Sequence, residues 1–308
     1  MEQLRVSTNP HVRHADTTQG IMLDVILALA PAFAGGVWLF GFRVLLVAAV
    51  CIGVAVLCEF GWCKLMKKPC TVGDLSAVVT GLLLTMNLPV SVPLWVAGIG
   101  SIVAIIVVKE FFGGLGQNFA NPAITARIVL LVSFPAYLTS WASPLAWQNG
   151  VAAVSSATPL VGKNIPLMDL FLGKTAGCIG ETSALLLLLG GLYLIVRRVI
   201  SPVLPAAFLA TLGLMMWAFG ENPLAAILSG GAMLGAVFMA TDYATSPSTN
   251  LGKLIFGIGC GVITALIRRF GSMPEGVSYS ILLMNLLTPH INKLTAPKPF
   301  GWEVRSRE

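Results

Sequence analysis

Residues 43–63 read Arg-Val-Leu-Leu-Val-Ala-Ala-Val-Cys-Ile-Gly-Val-Ala-Val-Leu-Cys-Glu-Phe-Gly-Trp-Cys, and after Arg43 a lone carboxylate, Glu59, interrupts the apolar run. A helix needs about 20 apolar residues to cross the hydrocarbon core of a bilayer, so this stretch predicts a transmembrane span. The same texture extends in both directions, from Gly20 to Asn292. It divides into ten expected spans at 20–40, 43–63, 72–88, 92–111, 121–141, 182–198, 203–220, 223–241, 252–268 and 277–292. Of the 308 residues, 56% are hydrophobic and 10% charged, against roughly 25% charged in soluble domains. With a mean hydropathy of +0.86 this excludes a soluble globular protein and predicts an all-α polytopic membrane protein embedded in lipid.

Charge placement predicts orientation. With the N-terminus in the cytoplasm, fourteen Lys and Arg residues fall inside, among them Lys64, Lys67, Lys68, Lys109, Arg127, Arg197, Arg198 and Lys253. Five fall outside: Arg43, Lys163, Lys174, Arg268 and Arg269. The positive-inside rule therefore places both termini in the cytoplasm. The parse gives a cytoplasmic segment 1–19, a transmembrane domain 20–292, an outer loop 142–181 and a cytoplasmic tail 293–308. The polar opening MEQLRVSTNPHVRHADTTQ lacks the basic-then-apolar pattern of a secretory signal and reads as an uncleaved start. The net charge of +6 sits between apolar spans, which makes it a topology signal and predicts no nucleic-acid partner.

The six cysteines form no CxxC and have no His at ligand spacing, so they read as small buried hydrophobes. Ionisable residues within spans are costly and mark function by default. Asp24, Glu59, Asp74, Lys109, Glu110, Arg127 and Asp242 are the candidates. Glu59, Lys109 and Arg127 are expected to snorkel to the interface, whereas Asp242 and Asp24 are the candidates for an ion path, with a helix-end cap as the structural alternative for Asp242. Spans three and eight are both rich in small residues with a polar end, at Asn87-Leu88-Pro89 and at Thr241-Asp242. Spans four and nine both run into Gly-containing segments, 112–118 and 270–276. Matches five spans apart imply two inverted five-helix repeats, an arrangement that places binding sites near the midplane on interrupted helices. Between Gly113 and Asn121, three glycines and two asparagines predict irregular backbone, either a packed re-entrant turn or a surface for a cofactor or partner.

Four blocks, SSATPL at 155–160, FGGLGQNFANPAITAR at 112–127, GAVFMATDYATSPSTNLGKLIFG at 235–257 and PEGVSYSILLMN at 274–285, resemble the signature blocks of the RnfD family, the D-type membrane component of the Rnf complex. That family is homologous to the B-type component of the sodium-pumping NADH:quinone reductase, and the similarity runs over essentially the whole chain. The resemblance implies a bacterial or archaeal cell-membrane protein with a ten-helix inverted-repeat fold. It implies assembly with other integral and peripheral Rnf subunits, which move electrons between ferredoxin and NAD coupled to Na+ or H+ transport. It also implies FMN joined through its phosphate to a threonine by a flavin transferase of the ApbE type, and in some members a second, non-covalent flavin such as riboflavin. Laid on this sequence the acceptor is Thr158, flanked by Ser155, Ser156 and Ala157. Two positions depart from the transferase pattern: Ala152 stands where it has Asp, and Ser156 where it has Gly. A small-residue loop suits an external transferase, and Pro159 biases Thr158 toward extended backbone that presents its hydroxyl. The chain carries no dinucleotide fingerprint and no cysteine cluster, so NAD and iron–sulfur sites are expected on partners. Inverted repeats with Gly-broken helices equally describe a secondary transporter or channel for a small solute, and a structural subunit whose flavin site has decayed is a third reading.

Overall fold

The computed structural model describes residues 16–149, 166–181, 183–271 and 275–297. The Thr158 site, with Ser155, Ser156, Ala157 and Ala152, lies outside them. Regular elements among the described residues are all helices, and the chain is a membrane protein.

Three helices are long and apolar enough to cross a bilayer unaided: α1 (Thr18–Phe40), α2 (Arg43–Leu65) and α12 (Asn250–Phe270). Before α12 come α3 (Ser76–Met86), α4 (Leu94–Ile102), α5 (Pro122–Ser133), α6 (Pro135–Leu138), α7 (Leu167–Leu172), α8 (Ala184–Val196), α9 (Val203–Ala218), α10 (Pro223–Leu228) and α11 (Ala232–Leu234). After it comes α13 (Gly276–Thr295). Two π-helical stretches continue their predecessors, Val103–Glu110 after α4 and Gly235–Met239 after α11.

Several expected spans are shorter or broken, for local reasons. The third, expected over 72–88, starts at Ser76 because Asp74 Oδ1 accepts from both the Ser76 N–H and hydroxyl while Leu75 takes a left-handed φ of 64°. It ends where the Asn87 amide turns back to the Leu83 carbonyl and Pro89 supplies no N–H. The eighth, expected over 223–241, is three pieces, since Gly230 and Gly231 take φ of 61° and 67° and open the ladder between α10 and α11. The fifth, expected over 121–141, gives α5 and one further turn, because Phe134 precedes Pro135 and is held out of helical backbone.

Small residues set how closely the remaining helices approach. A Cβ on Gly190 of α8 would lie 2.1 Å from the Ala28 carbonyl oxygen of α1. Gly257 and Gly261, one turn apart on α12, seat against α9, where added Cβ atoms would lie 2.8 Å from the Leu204 carbonyl and 2.9 Å from that of Phe208. These crossings leave the short and broken elements wrapped in protein, where irregular backbone at membrane depth is tolerated.

Candidate functional site

The interrupted helices meet in the interior. Asn121 caps α5, its Oδ1 accepting from Ala123 N at 3.0 Å and Ile124 N at 3.2 Å. Its Nδ2 donates to the carbonyl of Met239, the last residue of the second π-helix, at 3.2 Å. Asn285 of α13, with its amide oriented to satisfy both groups, accepts from Asn121 N at 3.0 Å and donates to the Thr245 carbonyl at 3.3 Å. Asn87, at the end of α3, reaches Met239 Sδ at 3.3 Å. Carbonyl-bearing ends of α3 and of the second π-helix thus converge beside the amide-bearing start of α5, which concentrates helix-end dipoles at one place.

Next to this junction a cavity of about 90 Å³ lies between α1, α3, the Gly-rich segment 111–121, the end of α8 and the break after Met239. Ile21, Met22, Val25 and Leu83 give it apolar wall; Asn118, Thr80, Lys109 and Asp242 give it polar points. Asn118 Oδ1 is buried and has no hydrogen-bond partner among the described residues. An apolar lining and a few convergent polar groups are attributes of a small-molecule site.

Two ion pairs lie deep in the protein, and they overturn the expectation that Glu59, Lys109 and Arg127 snorkel to the interface. Relative exposures are 0% for Glu59, 1% for Lys109 and 5% for Arg127. Lys109 Nζ donates to Glu59 Oε2 at 2.8 Å and to Ser76 Oγ at 2.6 Å, and the Thr71 hydroxyl donates to Glu59 Oε1 at 2.5 Å. Arg127 on α5 donates from Nη2 to Glu275 Oε2 at 2.5 Å and from Nη1 to the Asn87 carbonyl at 2.8 Å. Charges so buried persist because each has a partner and further hydrogen bonds. Lys109 and Arg127, expected among the cytoplasmic cations, are interior instead, and the charge asymmetry still favours the same face without them. Cys178 completes the second cluster, its thiol donating to the Asn87 carbonyl at 3.1 Å.

Asp242 and Asp24 occupy different settings. Asp242 follows the second π-helix, lines the cavity, and accepts from the Thr245 hydroxyl at 3.1 Å and Ala244 N at 3.5 Å, so it closes the turn as well as facing the space. Asp24, on α1, accepts from the Tyr193 hydroxyl at 2.8 Å and pairs with Arg197 Nη2 at 3.1 Å. That carboxylate holds the Arg197 guanidinium, just beyond the end of α8, above its ordinary range, by hydrogen bonding and then by charge. The cavity gathers Asp242 with Asn118 and Lys109; Asp24 does not line it.

Sequence reasoning did not find Glu275 as the partner of Arg127, 148 residues away. The available signal was its place as the lone carboxylate in the segment 270–276. The cysteines divide: Cys51, Cys63, Cys178 and Cys260 are buried as expected, Cys58 is partly so and Cys70 is exposed. Among the described residues no group of His, Cys, Asp or Glu could hold a metal ion.

Residues 5–301 match the model of the NQR2, RnfD, RnfE family. The chain is 48% identical to the D-type component of the Na(+)-translocating ferredoxin:NAD(+) oxidoreductase complex of Acetobacterium woodii, over 97% of this chain and 95% of that one. It is 44% identical to the D-type component of the proton-translocating ferredoxin:NAD(+) oxidoreductase complex of Clostridium ljungdahlii, over 96% of each chain. With the D-type component of the ion-translocating oxidoreductase complex of Stutzerimonas stutzeri the identity is 36%, over 93% of each.

Proposed function

The chain belongs to the NQR2, RnfD, RnfE family, and on that premise we propose that it is the D-type membrane component of an Rnf ion-translocating oxidoreductase, carrying electrons between ferredoxin-side and NAD-side partner subunits. End-to-end similarity to relatives whose names state that complex is the observation that carries this reading. Two of those relatives differ in the ion their names give, Na+ in one and H+ in the other, so the identity of the ion is a property to measure.

Thr158 is the proposed anchor for FMN, its hydroxyl esterified to the flavin phosphate by a transferase of the ApbE type reading the loop through Ser155, Ser156 and Ala157. The flavin supplies the electron-accepting ring; the chain supplies its attachment and surroundings. For a second, non-covalent flavin such as riboflavin, the cavity beside Asn121 is the proposed pocket. Its apolar wall and the Asn118 Oδ1 left without a partner among the described residues suit a planar ring with polar edges, which enters once the lining side chains move apart from the present space of about 90 Å³. Asp242 and Asp24 are the proposed acids of the ion path, Asp242 because it stands at a broken helix end facing that cavity.

We further propose the layout of ten spans in two inverted five-helix repeats, with both termini on the cytoplasmic side of the cell membrane. In support, α3 and α11 both begin after a residue in left-handed backbone, Leu75 and Gly231. In each half a cation near the end of the following helix reaches back to that start, Lys109 to Ser76 Oγ and Arg268 Nη2 to the Ser229 and Gly230 carbonyls. The distribution of Lys and Arg supports the orientation.

The test is direct. Co-expressed with a competent transferase, the denatured chain should keep flavin fluorescence in a gel, and peptide mass analysis should place FMN on Thr158. Thr158→Ala should abolish the covalent flavin while leaving membrane insertion intact. A colourless, unmodified wild-type chain would favour the transporter or structural reading. Asp242→Asn should keep the flavin and lower the ions moved per electron; unchanged coupling removes Asp242 from the path.

A further inference from the structure

A second cavity, of about 540 Å³ and open to solvent, lies between the end of α8, the 197–202 loop and the start of α12. Among the described residues its charged lining is Arg198 and Lys253, both cations, while the nearby carboxylate Asp16 acts on Tyr243 and Arg197 without lining it. Among the described residues neither side chain has a hydrogen bond or ion pair, in contrast to neighbouring Arg197, which pairs with Asp24. Hydroxyl-bearing Ser201, Ser246 and Ser248 share the wall, whereas the Tyr243 hydroxyl there is already donated to the Val199 carbonyl and Thr249 caps the start of α12. Two cations without a partner among the described residues and three serine hydroxyls around one open cavity make a receptor for a phosphate.

What surrounds the cavity decides which kind. Val196 in the last turn of α8 and Leu251 and Leu254 in the first turns of α12 are exposed, at 72%, 58% and 41%. Apolar side chains on the outer surfaces of two membrane helices, immediately beside a cationic pocket at the helix ends, match acyl chains below a headgroup. We propose that this pocket binds the phosphate of an anionic membrane phospholipid in the leaflet that meets the ends of α8 and α12. The assignment does not depend on the electron-transfer reading: Arg198 and Lys253 have no part in it, although Val199, Ile200, Thr241 and Tyr243 form wall common to both cavities.

A phosphatidylglycerol carrying a photoactivatable acyl chain, added to the detergent-purified complex containing the full chain, tests it. Label is expected on peptides spanning 195–204 and 241–254, competed by unlabelled phosphatidylglycerol but not by phosphatidylcholine or by inorganic phosphate at equal concentration. In the Arg198→Gln, Lys253→Gln double variant labelling there should fall about tenfold or more, the scale set by two phosphate-facing charges. The charge-preserving Arg198→Lys, Lys253→Arg variant should keep it, which separates loss of the site from loss of the fold. Equal competition by phosphatidylcholine would reduce the pocket to ordinary annular lipid, and competition by inorganic phosphate would make it a free-anion site. Undiminished label in the Gln variant, or lost label in a folded charge-preserving variant, would also overturn the proposal.

Discussion

Lys109–Glu59 and Arg127–Glu275 are both ion pairs in an apolar interior, yet they join different things. The first is local to one half of the chain: α2, the start of α3 and the π-helix after α4. It is closed on the carboxylate side, where Lys109 and Thr71 hold both Glu59 oxygens, while the ammonium, bonded to Glu59 and Ser76, also borders the cavity beside Asn121. The second spans the chain, tying α5 to the residue before α13, and it borders a crevice of about 10 Å³ shared with Glu181 and Gly231. Arg127 Nε has no partner there. A pair whose partners lie within one half fixes that half, whereas a pair that crosses the halves, with Arg127 Nε unpartnered among the described residues, sits at a joint between elements that can shift relative to each other.

Lys109→Met is the most severe way to test the closed pair. It leaves the Glu59 carboxylate buried without its cation and should cost about 3–5 kcal/mol in denaturation of the detergent-solubilised protein. Adding Glu59→Gln should recover much of that loss, since the stranded charge is then gone. A single variant as stable as wild type would show that Glu59 accepts a proton or reaches water, and the closed description would fail.

Glu275→Gln should be milder. The carboxamide oxygen still accepts from Arg127 and the Asn87 carbonyl still receives Nη1, so only the charge of the partner is lost, and a destabilisation below that of Lys109→Met, about 1.5–3 kcal/mol, is expected. Its signature is spatial. Amide exchange should rise together at 122–127 and 276–281, across the two halves of the sequence, whereas Lys109→Met should loosen 59–65 and 76–80. Exchange confined to one half in the Glu275 variant would deny it the role of a joint.

Much of this contrast was out of reach of the sequence, for identifiable reasons. Apolar length located α1, α2 and α12 to within a few residues, because crossing lipid demands a long unbroken run. It overextended the third and eighth spans, because Leu75, Gly230 and Gly231 break the helix through backbone conformation while leaving hydropathy high, and the fifth, because Phe134 before Pro135 leaves the helix at no cost in hydropathy. The interruption at Asn87 and the special character of 112–121 were visible in residue type. The burial of Lys109 and Arg127 was not: their partners lie 50 and 148 residues away, and an isolated cation within a span reads as an interfacial one until its carboxylate is found. Asp242 was legible as a candidate because it follows a small-residue helix, and its companions Asn118 and Lys109 at the cavity emerged from the fold.

Asp24–Arg197 supplies the weak end of the comparison. Its arginine is 56% exposed and its carboxylate 13%, so water screens the charge and little stability rests on it. Asp24→Asn should change unfolding free energy by less than about 1 kcal/mol, and added salt should shrink even that difference. If Asp24 serves the ion path, the same substitution should lower ions moved per electron while flavin content and stability stay at wild-type values. A stability loss as large as that of Glu275→Gln would make the pair a structural one, and unaltered coupling would take Asp24 out of the path. Small stability and large coupling effects together are what distinguish an acid held at the edge of the protein for use from one buried to hold the protein together.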